Sequence, residues 1–183
     1  FIARAPRPIE RIDIPFENSA LSGLLHLPRT PAPGEKFPCV INIGGMDGCK
    51  ENVVSMYGDP WLERGIAVLA MDGPGQGVCP SRGVFVTAVN HGPAAVATLD
   101  WLEKHGAIDA GRIALRATSF GTNFSIHAAA ALGDRIRGLA QAFALHEPGC
   151  FCIFNSASPT FRMRFMMMSN VTDDDAFDRF AEG

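Results

Sequence analysis

Three short, almost continuous apolar runs constrain the fold of this chain more than any other feature. They cover residues 38–43, 66–71 and 113–117. A run of this kind is typical of a strand that is covered on both faces of its sheet. Helical periodicity is found over residues 50–64, 87–104 and 121–132, and one further strand is predicted over 137–145. This alternation predicts an α/β protein with a mostly parallel sheet and helices on both faces.

The two ends of the chain differ from this alternating region. Residues 10–16 and 20–27 predict an antiparallel hairpin of two strands. Residues 149–183 mix cysteine, phenylalanine and methionine, and Thr172 followed by Asp175 resembles a capping box that opens a short helix. We expect residues 1–148 to form the N-terminal part of a core domain and residues 149–183 to begin a helical lid over the sheet.

Composition and charge narrow the possible classes of function. Hydrophobic residues make up 47% and charged residues 19% of the chain, which fits a globular protein. No apolar run approaches the roughly 20 residues of a membrane-spanning helix. The net charge is −3 and the basic residues are scattered, so neither nucleic acid nor a membrane is expected as a partner. Five cysteines without disulfide spacing, and no visible signal peptide, predict a cytoplasmic protein, although a start at Phe1 predicts that the true N-terminus is missing.

Ser119 is the strongest candidate for a catalytic residue. It lies in the run Ala117-Thr118-Ser119-Phe120-Gly121, between a predicted strand and a predicted helix. A serine at such a sharp turn, with small residues two positions before and after it, is typical of a nucleophile elbow. The following helix would also direct its N-terminal amides toward developing negative charge. A serine that only caps a helix is the alternative interpretation.

A glycine-rich segment follows the first apolar run. Gly44-Gly45-Met46-Asp47-Gly48 stands where an enzyme with a serine elbow presents a backbone N–H to the oxyanion of the reaction. The residue after the serine supplies the other donor. Gly45, Met46 and Phe120 are therefore the candidates for the oxyanion hole. A plain turn that leads into a helix remains an alternative.

A second loop of small and rigid residues, Asp72-Gly73-Pro74-Gly75-Gln76-Gly77, follows the next apolar run. Its glycine spacing does not match a dinucleotide fingerprint, and no helix opens directly behind it. We interpret it as a structural loop that shapes the wall of the pocket.

Together these motifs resemble the α/β-hydrolase superfamily. The similarity is greatest to the branch that contains 2,6-dihydroxypseudooxynicotine hydrolase, the fermentation–respiration switch protein and fungal polyketide-shortening hydrolases. The residues that carry it are the Gly44 to Asp47 segment with Lys50-Glu51, the Asp72 to Gly77 loop and the Ser119 elbow. The resemblance implies a serine nucleophile with an acid and a histidine, cleavage of esters or of carbon–carbon bonds in aromatic ketones, and a helical lid after the sixth strand.

The chain departs from that family pattern in two respects. Ala117 and Thr122 stand where glycines are frequent in the family. The family's triad acid and histidine normally follow the lid, whereas this chain ends at Gly183, so we expect a truncated chain with both groups beyond that residue. Glu147 as acid and His146 as base are the candidates within the chain, because they directly follow the predicted strand 137–145.

The other candidate residues concern the pocket and the remaining histidines. Phe161, Phe165 and Met167 are candidates for an adaptable apolar pocket, although packing alone would also explain them. His91 is expected at the surface, near a helix start. No pair of His, Cys or carboxylate residues has metal-ligand spacing, so neither a metal nor another cofactor is predicted.

These features favour a serine hydrolase that acts on a mid-sized apolar or aromatic ester or ketone through an acyl-enzyme on Ser119. The alternatives are a non-catalytic binding protein of the same fold and an acyltransferase on the same elbow. A small-molecule substrate is the expected partner. The exposed edge of an incomplete sheet also favours association, so a homodimer is possible.

Overall fold

Parallel strands flanked by helices form the core of the chain in the computed structural model, which describes residues 2–55, 59–144 and 159–182. The strands are β1 (Ile9–Phe16), β2 (Ser19–His26), β3 (Phe37–Ile43), β4 (Ala67–Asp72), β5 (Ile108–Thr118) and β6 (Leu139–Ala142). The helices are α1 (Lys50–Val53), α2 (Asp59–Glu63), α3 (His91–Glu103), α4 (Phe120–Leu132), α5 (Pro159–Ser169) and α6 (Asp174–Glu182).

The strands of the described residues form one sheet in the order β1-β2-β4-β3-β5-β6. β1, β2 and β4 pair antiparallel, whereas β4, β3, β5 and β6 run parallel to one another. The predicted fold class, a mostly parallel sheet with flanking helices, is confirmed. Because the carboxyl ends of parallel strands meet at one edge, the segments after β3, β4 and β5 lie side by side there.

Apolar side chains fill both faces of this sheet. On one face, α3 and α4 pack over residues such as Ile41, Leu69 and Ile113. On the other face, α1 and α2 pack over Leu24 and Val68. All six residues of β4 are buried, as expected for a strand covered on both faces.

Several predicted elements have different bounds in the structure: the strand predicted over 113–117 begins at Ile108, and α1 and α2 lie within the helix predicted over 50–64. The helix predicted over 87–104 begins only at His91, because the Asn90 side chain accepts from the Thr87 N–H and donates to the Phe85 carbonyl, which holds a turn there. Val89 is consequently 79% exposed rather than on the apolar face of the helix. The strand predicted to reach residue 145 ends at Ala142, where Phe143 takes a left-handed φ of 55° that interrupts the extended backbone.

The C-terminal helices were predicted in outline. Residues 159–182 contain α5 and α6, within the segment expected to be helical. The residue that caps α6 is Asp173 rather than Thr172, since its Oδ1 accepts the Ala176 N–H at 2.7 Å. The division at residue 148 lies outside the described residues and stays a prediction.

His91 is buried, which corrects its predicted place at the surface. Its side chain packs against α4, 5.1 Å from the Phe124 ring and 6.0 Å from the His127 ring between centroids. Burial, followed by the nearby His127, lowers the pKa of His91 to about 4, against the opposing effect of a hydrogen bond with Asn123. The prediction was wrong because the start of the helix decides which way this ring faces.

A buried ion pair joins the segments that follow β3 and β4. Lys50 Nζ donates to Asp72 Oδ2 at 2.9 Å, and the Lys50 backbone N–H donates to Asp72 Oδ1 at 2.8 Å. The side chains are 3% and 0% exposed, respectively. Burial disfavours the charge on Lys50, but its hydrogen bonds to the Asp72 and Glu51 carboxylates outweigh this effect and raise its pKa. The N–H of Val78 also donates to Asp72, so one carboxylate organises both loops.

Buried His91 should make the fold sensitive to acid. The unfolded chain binds a proton on this ring below a pH of about 6.5, whereas the folded protein does so only near its pKa of about 4. Stability should therefore fall between these values by up to about 3 kcal/mol. Urea unfolding of the intact protein at pH 7.5, 5.5 and 4.5 should show a shallower decline for His91→Phe. Parallel pH profiles for the variant and the wild type would contradict the assignment.

Loss of the cation in the buried pair should be costly. Lys50→Met should lower the free energy of unfolding by about 3–5 kcal/mol, because the Asp72 carboxylate stays buried without its countercharge. The matched control is Arg112→Met, which breaks an exposed pair with Asp109 and should cost at most about 1 kcal/mol.

The double variant Lys50→Met/Asp72→Asn should be more stable than Lys50→Met, since the uncompensated charge is gone. Urea denaturation of the intact protein measures all four proteins. Equal losses in the free energy of unfolding for Lys50→Met and Arg112→Met would contradict the predicted cost of leaving the Asp72 charge buried alone.

Candidate active site

Ser119 forms the sharp connection between β5 and α4. Its backbone has φ 54° and ψ −127°, a conformation that non-glycine residues rarely adopt. The Ser119 N–H donates to the Ala142 carbonyl at 3.0 Å, and the Ser119 carbonyl accepts the Thr122 N–H at 2.8 Å and its hydroxyl at 2.6 Å. These bonds hold the strained backbone, while the side chain stays half-buried at the sheet edge.

The glycine two residues after the serine permits close contact between α4 and the end of β3. A methyl group at Gly121 would collide with the Gly44 carbonyl oxygen and would lie 2.9 Å from the Ile43 carbonyl oxygen. Ala117 and Thr122, the departures from the family pattern, are both fully buried. The elbow therefore accommodates their extra atoms, and the Thr122 hydroxyl adds one of the bonds to Ser119.

The loop over residues 44–48 lies directly against the serine. A Cβ added to Gly45 would be 3.1 Å from Ser119 Cβ and 3.6 Å from Ser119 Oγ. The Gly48 N–H donates to the Gly45 carbonyl at 3.0 Å, which closes a tight turn. A side chain at position 45 would thus occupy the space in front of the hydroxyl.

The backbone N–H groups of Met46 and Phe120 have no acceptor among the described residues. Met46 lies in the glycine-rich loop that contacts Ser119, and Phe120 directly follows Ser119 as the first residue of α4. The side chains of Met46 and Phe120 are buried, at 4% and 6% exposure. Unused N–H groups in a protein interior favour an acceptor supplied by a ligand.

Gln76 fixes the orientation of the glycine-rich loop. Its Nε2 donates to the Gly44 carbonyl at 2.9 Å and to the Gly45 carbonyl at 3.0 Å, and its Oε1 accepts the Gly73 N–H at 3.1 Å. The N–H and C=O of a trans peptide point in opposite directions. Because Gln76 holds the Gly45 carbonyl, the Met46 N–H points away from Gln76. The sequence predicted only a structural loop here, and Gln76 itself was not recognised.

An apolar cluster joins α5 and α6 to the elbow. Its buried members are Met46, Val86, Phe120, Phe165, Met168 and Phe177. The Phe165 ring lies 5.4 Å from the Phe120 ring between centroids. The Val86 N–H donates to the Met168 carbonyl at 2.9 Å, which ties the end of α5 to the core.

The three predicted pocket residues differ in their exposure. Phe165 is 2% exposed and contacts the elbow, whereas Phe161 and Met167 are 41% and 49% exposed on α5. His146 and Glu147 lie outside the described residues, so their roles stay predictions. None of the described side chains hydrogen-bonds to Ser119 Oγ.

Neither a metal centre nor a membrane span is found in the part of the chain that the structure describes. No group of three or more His, Cys, Asp or Glu residues there is arranged to hold a metal ion. None of the helices there has both the length and the apolar character needed to cross a membrane.

Comparisons with known proteins identify relatives of this chain. Hydrolyase ccsE of Aspergillus clavatus is 31% identical over 130 residues, which are 67% of this chain and 30% of that protein. Hydrolase ORFZ of Pyricularia oryzae is 31% identical over 163 residues, covering 84% and 38% of the two chains. The chain therefore spans about a third of the length of these curated relatives.

A solved structure shows the fold. The crystal structure of 2,6-dihydroxy-pseudo-oxynicotine hydrolase matches with a TM-score of 0.83 at 22% identity, over 98% of this chain and 48% of that one. This likeness establishes the α/β-hydrolase fold. The model of the family described as "Esterase FrsA-like" matches residues 2–177. The resemblance inferred from the motifs is confirmed, and the chain belongs to the FrsA-like esterase family.

Proposed function

We propose that the protein is a serine hydrolase in which Ser119 attacks the carbonyl carbon of its substrate. The strained elbow beside two unused backbone N–H groups carries this proposal. Strain of this kind is retained at sites where geometry serves chemistry. The names of its relatives, all hydrolases, support the same class of reaction.

The Met46 and Phe120 N–H groups are the proposed oxyanion hole. As the Ser119 Oγ–carbon bond forms, the substrate's carbonyl oxygen becomes negative and accepts hydrogen bonds from both donors. The start of α4 adds its positive dipole end at the same place. The leaving group departs with a proton, and water then attacks the acyl-enzyme to release the acid and free Ser119.

A base must take the proton from Ser119 Oγ in this scheme. Since no described side chain bonds to that oxygen, we place the base outside the described residues. His146, with Glu147 as its acid, is the candidate that this chain offers. The aromatic and methionine side chains around Phe120 favour an apolar or aromatic substrate, which is either an ester or a ketone.

Covalent labelling of the intact protein tests the nucleophile. A fluorophosphonate probe should modify Ser119, as located by peptide mass spectrometry, and Ser119→Ala should lose labelling. The same variant should lower kcat for p-nitrophenyl butyrate by at least about 1,000-fold. Ser81→Ala, a change at an exposed serine, is the control and should retain both properties. Turnover that survives in Ser119→Ala would overturn the proposal, and transfer of the acyl group to an added alcohol in preference to water would identify an acyltransferase.

Gln76 should affect the rate of the chemical step. Gln76→Met keeps the length of the side chain but removes both donors to the loop, so the Met46 N–H loses its fixed direction. We expect kcat to fall by about 10- to 100-fold with a small change in KM, since the oxyanion interaction strengthens in the transition state.

Gln141→Met is the matched control for this measurement. The Gln141 amide also donates to two acceptors, Thr122 O and Ser125 Oγ, but on α4 rather than on the glycine-rich loop. Thermal unfolding of both variants separates a loss of stability from a loss of rate. Equal falls in kcat for the two variants would contradict the role of Gln76 in orienting the Met46 N–H.

A further inference from the structure

Two consecutive residues of α5 contact the two residues that carry the unused N–H groups. Arg164 Nε and Nη2 both donate to the Met46 carbonyl at 3.4 Å. The next residue, Phe165, places its ring 5.4 Å from the Phe120 ring. The Arg164 guanidinium is therefore held against Met46, one of the two residues that carry the proposed oxyanion donors.

Arg164 also differs in its charge environment from the five arginines that are paired with carboxylates. Arg29, Arg82, Arg112, Arg135 and Arg162 each form an ion pair with at least one carboxylate. No carboxylate among the described residues pairs with Arg164, although its side chain is partly buried. Two long hydrogen bonds to one carbonyl oxygen use only part of a guanidinium, which carries five N–H donors.

We propose that Arg164 binds a carboxylate on the acyl part of the substrate. A guanidinium matches a carboxylate with two parallel hydrogen bonds, and partial burial strengthens their attraction. Because Arg164 is anchored on the residue whose N–H receives the oxyanion, a carboxylate within its reach lies only a few bonds from the reacting carbonyl. This inference rests on the proposed function and adds a carboxylate on the acyl part to the apolar or aromatic ester or ketone proposed above.

A matched pair of esters tests the proposal in the intact protein. Mono-p-nitrophenyl fumarate carries the acyl carboxylate, which the trans double bond keeps away from its own ester carbonyl, and methyl p-nitrophenyl fumarate carries the same chain without the charge. We expect the wild type to favour the acid. Arg164→Gln should lower the ratio of kcat/KM for the acid to kcat/KM for the methyl ester by about 10- to 100-fold, as for loss of a charge-assisted hydrogen bond. Arg164→Lys should give an intermediate ratio, since it keeps the charge and loses the planar fork.

Arg162→Gln is the matched control, because it removes a positive charge from the same helix that is already paired with Asp174 and Asp178. Its ratio should equal that of the wild type. Arg164→Glu provides a second readout and should favour a p-nitrophenyl ester with a cationic acyl chain. An unchanged ratio in both Arg164→Gln and Arg164→Glu would overturn the proposal and leave Arg164 as a support for the Met46 loop. Fluorophosphonate labelling of Ser119 in each variant shows separately whether the proposed function holds.

Discussion

The buried contact between Lys50 and Asp72 is the interaction on which the arrangement at the sheet edge depends. Asp72 ends β4 and Lys50 begins α1, so their pair fixes the segment after β3 relative to the segment after β4. A buried ion pair contributes little net stability compared with apolar packing, but it is expensive to break on one side only. Its role here is therefore geometric, since it sets the distance between the loop that contacts the serine and the loop that follows β4.

Gln76 connects the loop after β4 to the glycine-rich loop that contacts Ser119. It lies in the loop that Asp72 begins, and it bonds to the carbonyl oxygens of Gly44 and Gly45, across the sheet edge. The proposed oxyanion donors thus belong to different segments, with Phe120 fixed by the elbow and Met46 fixed through Gln76. Both proposed donors therefore lie within the described residues, apart from the residues that would activate the serine.

The sequence predicted the strands and the segments at the sheet edge better than the long-range contacts that hold them in place. Apolar runs identified β3, β4 and β5. The glycines directly after β3 and β4 and the serine directly after β5 identified the loops and the elbow at the sheet edge. Contacts of the Lys50–Asp72 and Gln76–Gly44 kind join residues 22 and 32 positions apart, and become visible only when the strand order is known. His91 shows the same limit at short range, because a shift of four residues in the start of α3 decides whether its ring faces solvent or α4.

Two side chains from different parts of the fold hold the peptide units on either side of Met46. On the core side Gln76 holds the Gly45 carbonyl, and on the α5 side Arg164 holds the Met46 carbonyl. If α5 moved outward, the first support would persist and the second would be lost. Discrimination between substrates and the ability to stabilise an oxyanion would then vary independently, so changes in α5 could redirect the enzyme to new substrates without rebuilding its catalytic centre.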